Sequence, residues 1–150
     1  MNVAIIPARG GSKRIPRKNI RLFNDRPLIA YSIAAALESG CFGRVVVTTE
    51  DAEVAEIARR EGAEVPFVRP AELCDDYVGT IPILQHALRW LLTEAFLKGL
   101  PIFSHHAIPI ILPRHRVQDI DTPEDWLRAE FLHRAIQLAE AEKNADRDSR

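Results

Sequence analysis

The sequence predicts an α/β fold with a mainly parallel sheet. Three observations carry that expectation. The run "NVAIIPA" is short, continuous and apolar, and it stops at Gly10-Gly11; such runs are strands buried on both faces. "GRVVVTT" is a second β-branched run. Between and after them lie segments with helical spacing, so strand and helix alternate as in βαβ units.

Each element has a local reason. In "RPLIAYSIAAALESG", Leu28, Ile29, Ser32, Ile33, Ala36 and Leu37 share a helical face, and Gly40 is placed to end the helix. "EDAEVAEIARREG" puts Val54, Ile57 and Ala58 inward and stops at Gly62. "AEVPFV" reads as a third, weaker strand. "TIPILQHALRWLLTEAFLKG" places Ile81, Leu84, Leu88, Leu91, Leu92, Ala95 and Phe96 on one face of a helix that ends at Lys98-Gly99. "HAIPIILP" is a short apolar strand that Pro109 moves towards an edge. "DTPEDWLRAEFLHRAIQLAEAEK" is a last helix with Leu127 and Phe131 inward and Ala135 and Leu138 as further candidates for that face. Thr122 is its expected N-cap, Pro123 its first residue and Asp125 its reciprocal capping acid. These elements suggest one domain over residues 1–143 and a polar tail over 144–150.

Composition excludes several classes. Of 150 residues, 47% are hydrophobic and 27% charged, with a formal net charge of -1. That is an ordinary globular composition without the basic excess of a nucleic-acid binder. Cys41 and Cys74 have no metal-ligand spacing, so reduced thiols and a cytoplasmic location are expected. No stretch has the length of a membrane span or of a signal-peptide core. The histidines add no convincing site. His105 and His106 are adjacent and point apart in a strand, and His115 lies between Arg114 and Arg116.

The chemistry concentrates in "PARGGSKRIPRKN", right after the first strand. It holds Arg9, Lys13, Arg14, Arg17 and Lys18 with no acid among them. Gly10 and Gly11 would let backbone N–H groups form an anion nest, and Ser12 adds a hydroxyl donor. Backbone donors together with several mobile cations suit a triphosphate. The spacing is neither that of a P-loop nor that of a dinucleotide-binding turn. The competing reading is a solvated basic loop. A second cluster, "QDIDTPED", puts Asp119 and Asp121 two apart, so both carboxylates point the same way in an extended segment. Two hard oxygen ligands suit Mg²⁺. Equally, Asp121 could simply begin the last helix while Asp119 is solvated.

The whole string "IIPARGGSKRIPRKNI" closely resembles the signature of the nonulosonic acid cytidylyltransferases, the CMP-sialic acid synthetases and, nearest in wording, the pseudaminic acid cytidylyltransferases. The likeness continues through "YSIAAALESGCFGRVVVTTEDAEVAEIARREGAEVPFVRPAEL" and resumes in "PRHRVQDIDTPEDW". The ketodeoxyoctonate cytidylyltransferases fit the loop less well. The resemblance implies a Rossmann-like nucleotidyltransferase fold, truncated in the middle. It implies a reaction of CTP with a nonulosonic acid to give a CMP-sugar and pyrophosphate, with Mg²⁺ as cofactor, in a homo-oligomer.

By that resemblance Arg9, Ser12, Lys13 and Lys18 would surround the triphosphate beside Gly10 and Gly11. Arg9 and Lys18 would stabilise the leaving pyrophosphate, and Asn19 would contact the ribose. Arg69 and Thr80 would help to read the cytosine, and Asp119 and Asp121 would hold the metal. Bland readings stand beside these: Arg69 as a surface arginine before a proline, and Thr80 as a helix N-cap. After Trp90 the family continues with a central strand and a sugar-holding segment that are not recognisable here. The chain therefore reads as internally shortened, and a non-catalytic nucleotide-binding remnant or assembly module stays open as the alternative.

Overall fold

The computed structural model describes residues 2–75, 77–91 and 118–148. The chain forms two compact units: Met1–Ser12 with Pro16–Ala107, and Lys13–Ile15 with Ile108–Arg150.

The first unit is built on two parallel strands, β1 (Val3–Pro7) and a strand at Arg44–Thr48. Between them lie a small hairpin, β2 (Leu22–Phe23) and β3 (Arg26–Pro27), and helix α1 (Leu28–Glu38). The Arg44–Thr48 strand is β4, and it pairs in register with β1 from Val3↔Arg44 to Pro7↔Thr48. Helix α2 (Ala52–Arg60) follows, then a 3₁₀ turn (Ala71–Leu73) and helix α3 (Thr80–Leu91).

The alternating βαβ pattern is thus present. Val45, Val46 and Val47 are buried, as continuous apolar strands in parallel sheets are. Val45 and Val47 pack with Ala8, Ile29, Ile33, Val54, Ala58 and Ala63, while Val46 points to the opposite face. Helix α1 contacts both strands and α2, and α3 contacts β1.

Three local expectations need correction. The third strand reduces to one parallel bridge, Val46↔Glu64, with the Val47 amide donating to the Glu64 carbonyl at 2.9 Å. Pro66 has no N–H to extend the ladder. The β2–β3 hairpin is not anticipated. Its two-residue turn has Asn24 and Asp25 at φ of 45° and 66°, the left-handed geometry that such short turns demand. Leu37, expected on the inward face, is 47% exposed near the end of α1, with its Cδ1 beside Gly62. Helix α2 ends at Gly62 as expected, with φ 93°, and its start is fixed by Asp51, which accepts from the Val54 amide at 2.9 Å.

The described part of the second unit is the segment 118–122, helix α4 (Pro123–Asp148), and Lys13–Ile15. The expected capping box is formed. The Asp125 amide donates to Thr122 Oγ1 at 3.1 Å, and the Thr122 amide donates to Asp125 Oδ2 at 2.9 Å. The buried side chains of α4 are Trp126 and Ala129, not Leu127 and Phe131, which are 52% and 62% exposed. Residues 126 and 129 lie one turn apart, so the inward face is rotated from the one expected. The helix also continues through 144–148, where the sequence suggests a tail, because no glycine or proline interrupts it. The expected continuation of α3 to Lys98, the "HAIPIILP" strand, and His105, His106, Arg114, His115 and Arg116 lie outside the described residues.

Candidate functional site

The C-terminal ends of β1 and β4 lie side by side, since Pro7 pairs with Thr48. The Ala8 amide extends the pairing by donating to the Thr48 carbonyl at 3.0 Å. The cationic loop and Glu50 follow directly from these two ends, where open α/β sheets hold ligands. A cleft of about 370 Å³ opens there, lined among others by Arg9, Ser12, Lys18, Asn19, Arg69, Cys74 and Asp75. Its size is that of a small-molecule site, about 300–1,000 Å³. A larger recess of about 560 Å³ lies along α3, beside Glu72, His86 and Arg89, and lacks the cations of the loop.

One wall of the cleft is tied together by Glu50, the residue after β4 and Thr49. Its Oε1 accepts from the Gly10 amide at 2.8 Å, and its Oε2 accepts from Arg69 Nη2 at 2.6 Å. Arg69 is 2% exposed, and its Nη2 also donates to the Ala8 carbonyl at 3.0 Å. Its own amide donates to the Thr49 carbonyl at 2.9 Å. Three chain segments thus meet at one ion pair. Burial alone would push the Glu50 carboxyl up. The hydrogen bonds from its own amide, from Gly10 and from Arg69 outweigh it and hold the carboxyl below its ordinary value.

A second ion cluster sits behind the loop. Arg17 pairs with Asp51 through two contacts, one of them Nη2 to Oδ1 at 3.2 Å, and with Glu53 at 2.5 Å. The hydrogen bond from Arg17 lowers the Asp51 carboxyl, against burial and with help from the Val54 amide. The same bond raises the Arg17 guanidinium. Arg17 takes φ 55° to reach this position.

The anion-nest expectation is corrected here. The positive-φ glycines among the described residues are Gly40 and Gly62, not Gly10 or Gly11. Gly10 is needed for close approach: a Cβ there would lie 2.2 Å from Asp51 Oδ2. Its N–H is directed at the Glu50 carboxylate. Gly11 has open space around it.

Of the expected site residues, the fold gathers Arg9, Ser12, Lys18, Asn19 and Arg69 around one cleft. Asn19 also braces the loop, its Nδ2 donating to the Arg9 carbonyl at 2.9 Å. Lys13 is exposed and belongs to the second unit. Thr80 is the exposed first residue of α3 and is not part of the cleft wall. Arg69 is no surface arginine. In the second unit Asp119 is exposed, and Asp121 is ion-paired with Arg14 at 2.8 Å. Among the described residues no group of three His, Cys, Asp or Glu side chains could hold a metal. Cys74 lines the cleft and donates to the Pro70 carbonyl at 3.1 Å, and burial pushes its thiol up. A thiol shifted in that direction is a weaker nucleophile than an activated one.

The cytidylyltransferase family profile matches residues 3–88, which is more than half of the chain and contains the whole cleft wall. The chain belongs to the cytidylyltransferase family. The matched stretch ends two residues before Trp90, and the second resembling stretch, from Pro113 to Trp126, lies outside it. The chain is similar to the pseudaminic acid cytidylyltransferase of Campylobacter jejuni, 52% identical over 93 residues, covering 62% of this chain and 40% of that protein. It is also similar to the CMP-N,N'-diacetyllegionaminic acid synthase of Legionella pneumophila, 49% identical over 74 residues, covering 49% of this chain and 32% of that one. The N-acylneuraminate cytidylyltransferase of Escherichia coli is 44% identical over 86 residues, covering 57% of this chain and 20% of that one. The matches therefore span two fifths or less of the length of these relatives.

Among solved structures, CMP:2-keto-3-deoxy-manno-octonic acid synthetase complexed with CTP aligns with a TM-score of 0.50 and 25% identity. The alignment covers 60% of this chain and 36% of that one. The family fold is thus the nucleotidyltransferase α/β fold that the sequence predicts.

Sequence reasoning passes over Glu50 and Asp51 as site residues, and it counts Arg17 among the mobile cations of the loop, whereas Arg17 is ion-paired with Asp51 and Glu53. The available signal for Glu50 is an acid at the C-terminal end of a buried strand, opposite a cationic loop. No described helix is long and apolar enough to cross a membrane.

Proposed function

We propose that the chain binds CTP in the cleft between the loop after β1 and Arg69, as the nucleotide half of a CMP-sugar synthetase for nonulosonic acids, with pseudaminic acid the leading substrate. The observation that carries this reading is the gathering of Arg9, Ser12, Lys18, Asn19 and Arg69 around one cleft within the residues that match the family. Arg9, Ser12 and Lys18 receive the triphosphate, with Gly10, Gly11 and Lys13 in the same loop. The cations stabilise charge that grows on pyrophosphate as the anomeric hydroxyl of the sugar attacks the α-phosphorus. Asn19 holds the loop and meets the ribose. Arg69 donates to the cytosine, with Thr80 nearby in sequence to the segment that carries it.

Asp119 and Asp121 are the residues that would hold Mg²⁺. Two carboxylate oxygens are a partial set for this ion, which completes its shell with water and phosphate oxygens. When bound, the ion would supply neutralisation of phosphate charge and orientation of the leaving group. Arg14 competes for Asp121, so Arg14→Ala should lower the Mg²⁺ concentration needed for half-maximal effect. We place the protein in the cytoplasm, where CTP is available and its unpaired cysteines stay reduced, as a homo-oligomer.

A second reading is a nucleotide-binding module without turnover, which follows from the family's sugar-holding segment not being recognisable in the sequence. A CTP titration with and without Mg²⁺, followed by a pyrophosphate assay with pseudaminic or N-acetylneuraminic acid, separates the two. Binding with turnover supports the first, and binding without turnover the second. If CTP fails to bind, neither stands.

A further inference from the structure

We propose that Glu50 is a specificity-determining positioning residue: it holds and neutralises the buried Arg69 guanidinium, so that the cleft selects a nucleotide with its base over a bare polyphosphate. This rests on the nucleotide reading above.

The Glu50 carboxylate is fixed from two sides, by Arg69 Nη2 at 2.6 Å and by the Gly10 amide at 2.8 Å. Arg69 is 2% exposed, and the Glu50 side chain is 24% exposed. A guanidinium this deep, with a carboxylate against it, donates hydrogen bonds but offers little net charge to a polyanion. Its Nε is buried and has no hydrogen-bond partner among the described residues. A buried unmet donor carries a cost that an acceptor on a ligand would relieve. A neutral carbonyl oxygen, as on a pyrimidine, suits such a donor. The highly charged phosphates suit the loop cations Arg9 and Lys18 on the same cleft. Glu50 also fixes where Gly10 sits, so it sets the spacing between the phosphate side and the base side. It touches neither substrate in this arrangement and acts through Arg69.

A role in folding alone would weaken every ligand together. A neutralising role changes ligands in opposite directions, and this is the decisive difference. Glu50→Gln keeps an acceptor for Gly10 but leaves the Arg69 charge unmatched. Binding of CTP, UTP and inorganic tripolyphosphate is measured by titration on the full chain, with a melting curve for each variant. The expected result is that Glu50→Gln tightens tripolyphosphate by about five-fold and lowers the preference for CTP over tripolyphosphate by a similar factor. Parallel weakening of all three ligands would overturn the inference and leave the CTP reading intact. If the wild-type chain binds tripolyphosphate but not CTP, both fall.

Should Glu50→Gln not fold, the paired variant Glu50→Gln with Arg69→Gln decides, since removing both charges leaves neither one buried alone. It should lose the CTP preference yet bind tripolyphosphate within about two-fold of wild type. A loss of tripolyphosphate binding of about ten-fold in that variant would mean that Arg69 acts as a net cation, and would overturn the proposal.

Discussion

Helices α2 and α4 begin alike and end differently. Both are rich in charge, and both start on a side-chain cap: Asp51 accepts from the Val54 amide, and Thr122 and Asp125 cap each other. Helix α2, with nine residues, buries Val54, Ala55 and Ala58, and Val54 and Ala58 share a core cluster with Val45 and Val47 of the sheet. Helix α4, with 26 residues, buries Trp126 and Ala129 and leaves Leu127, Phe131 and Leu138 exposed. A cap fixes where a helix starts. Stability comes from what the apolar face meets. The charges divide by burial rather than by helix. Arg17 with Asp51 and Arg69 with Glu50 join distant segments at partly buried sites. The pairs within a helix, Glu56 with Arg60 on α2 and Glu124 with Arg128 on α4, are exposed on both sides.

The sharpest way to break this contrast is to remove apolar volume from each region. Ile33 is fully buried in the first unit, so Ile33→Ala should cost about 2–5 kcal/mol in urea denaturation. Phe131→Ala on α4 should stay within about 0.5 kcal/mol. Equal costs would mean that α4 is as well packed as the sheet.

The next effect is electrostatic. Arg69→Ala leaves Glu50 without its partner and should cost about 3 kcal/mol, the low end for a broken buried pair because Glu50 still reaches water. Arg128→Ala should change stability by no more than a few tenths of a kcal/mol, read from the same denaturation curves.

The smallest effect is the acid limb. The folded state holds the Asp51 carboxyl below its ordinary 3.8, mainly through Arg17. Its contribution is therefore complete above about pH 4 and is lost as pH falls through the lowered value. Asp51→Asn should lower stability at neutral pH and flatten the decline on acidification. A wild-type slope in the variant, measured as urea midpoint against pH, would exclude this pair as the source.

Much of the first unit is legible in the sequence because its signals are local. The apolar run Val3–Ile6, the valines 45–47 and the Gly62 stop each act within a few residues. The third strand is misread because Pro66 outweighs its β-branched neighbours, and the hairpin because Asn24-Asp25 is a turn hidden before a helix. In the site, the cationic loop and Arg69 stand out by composition and by resemblance. Glu50 does not, since an acid after a strand looks like any other solvated acid.

The order of side chains alone sets the alternation of strand and helix, the capping box of α4, and the presence of a cationic loop after the first strand. These rest on side-chain type and short spacing. Only the tertiary structure decided which cations are already spoken for. Gly10 and Glu50 are 40 residues apart, and Glu50 and Arg69 are 19 apart. No local pattern reports that parallel pairing of β1 with β4 brings them together. The same closure puts Asp51 against Gly10 and requires a glycine for space rather than for a nest.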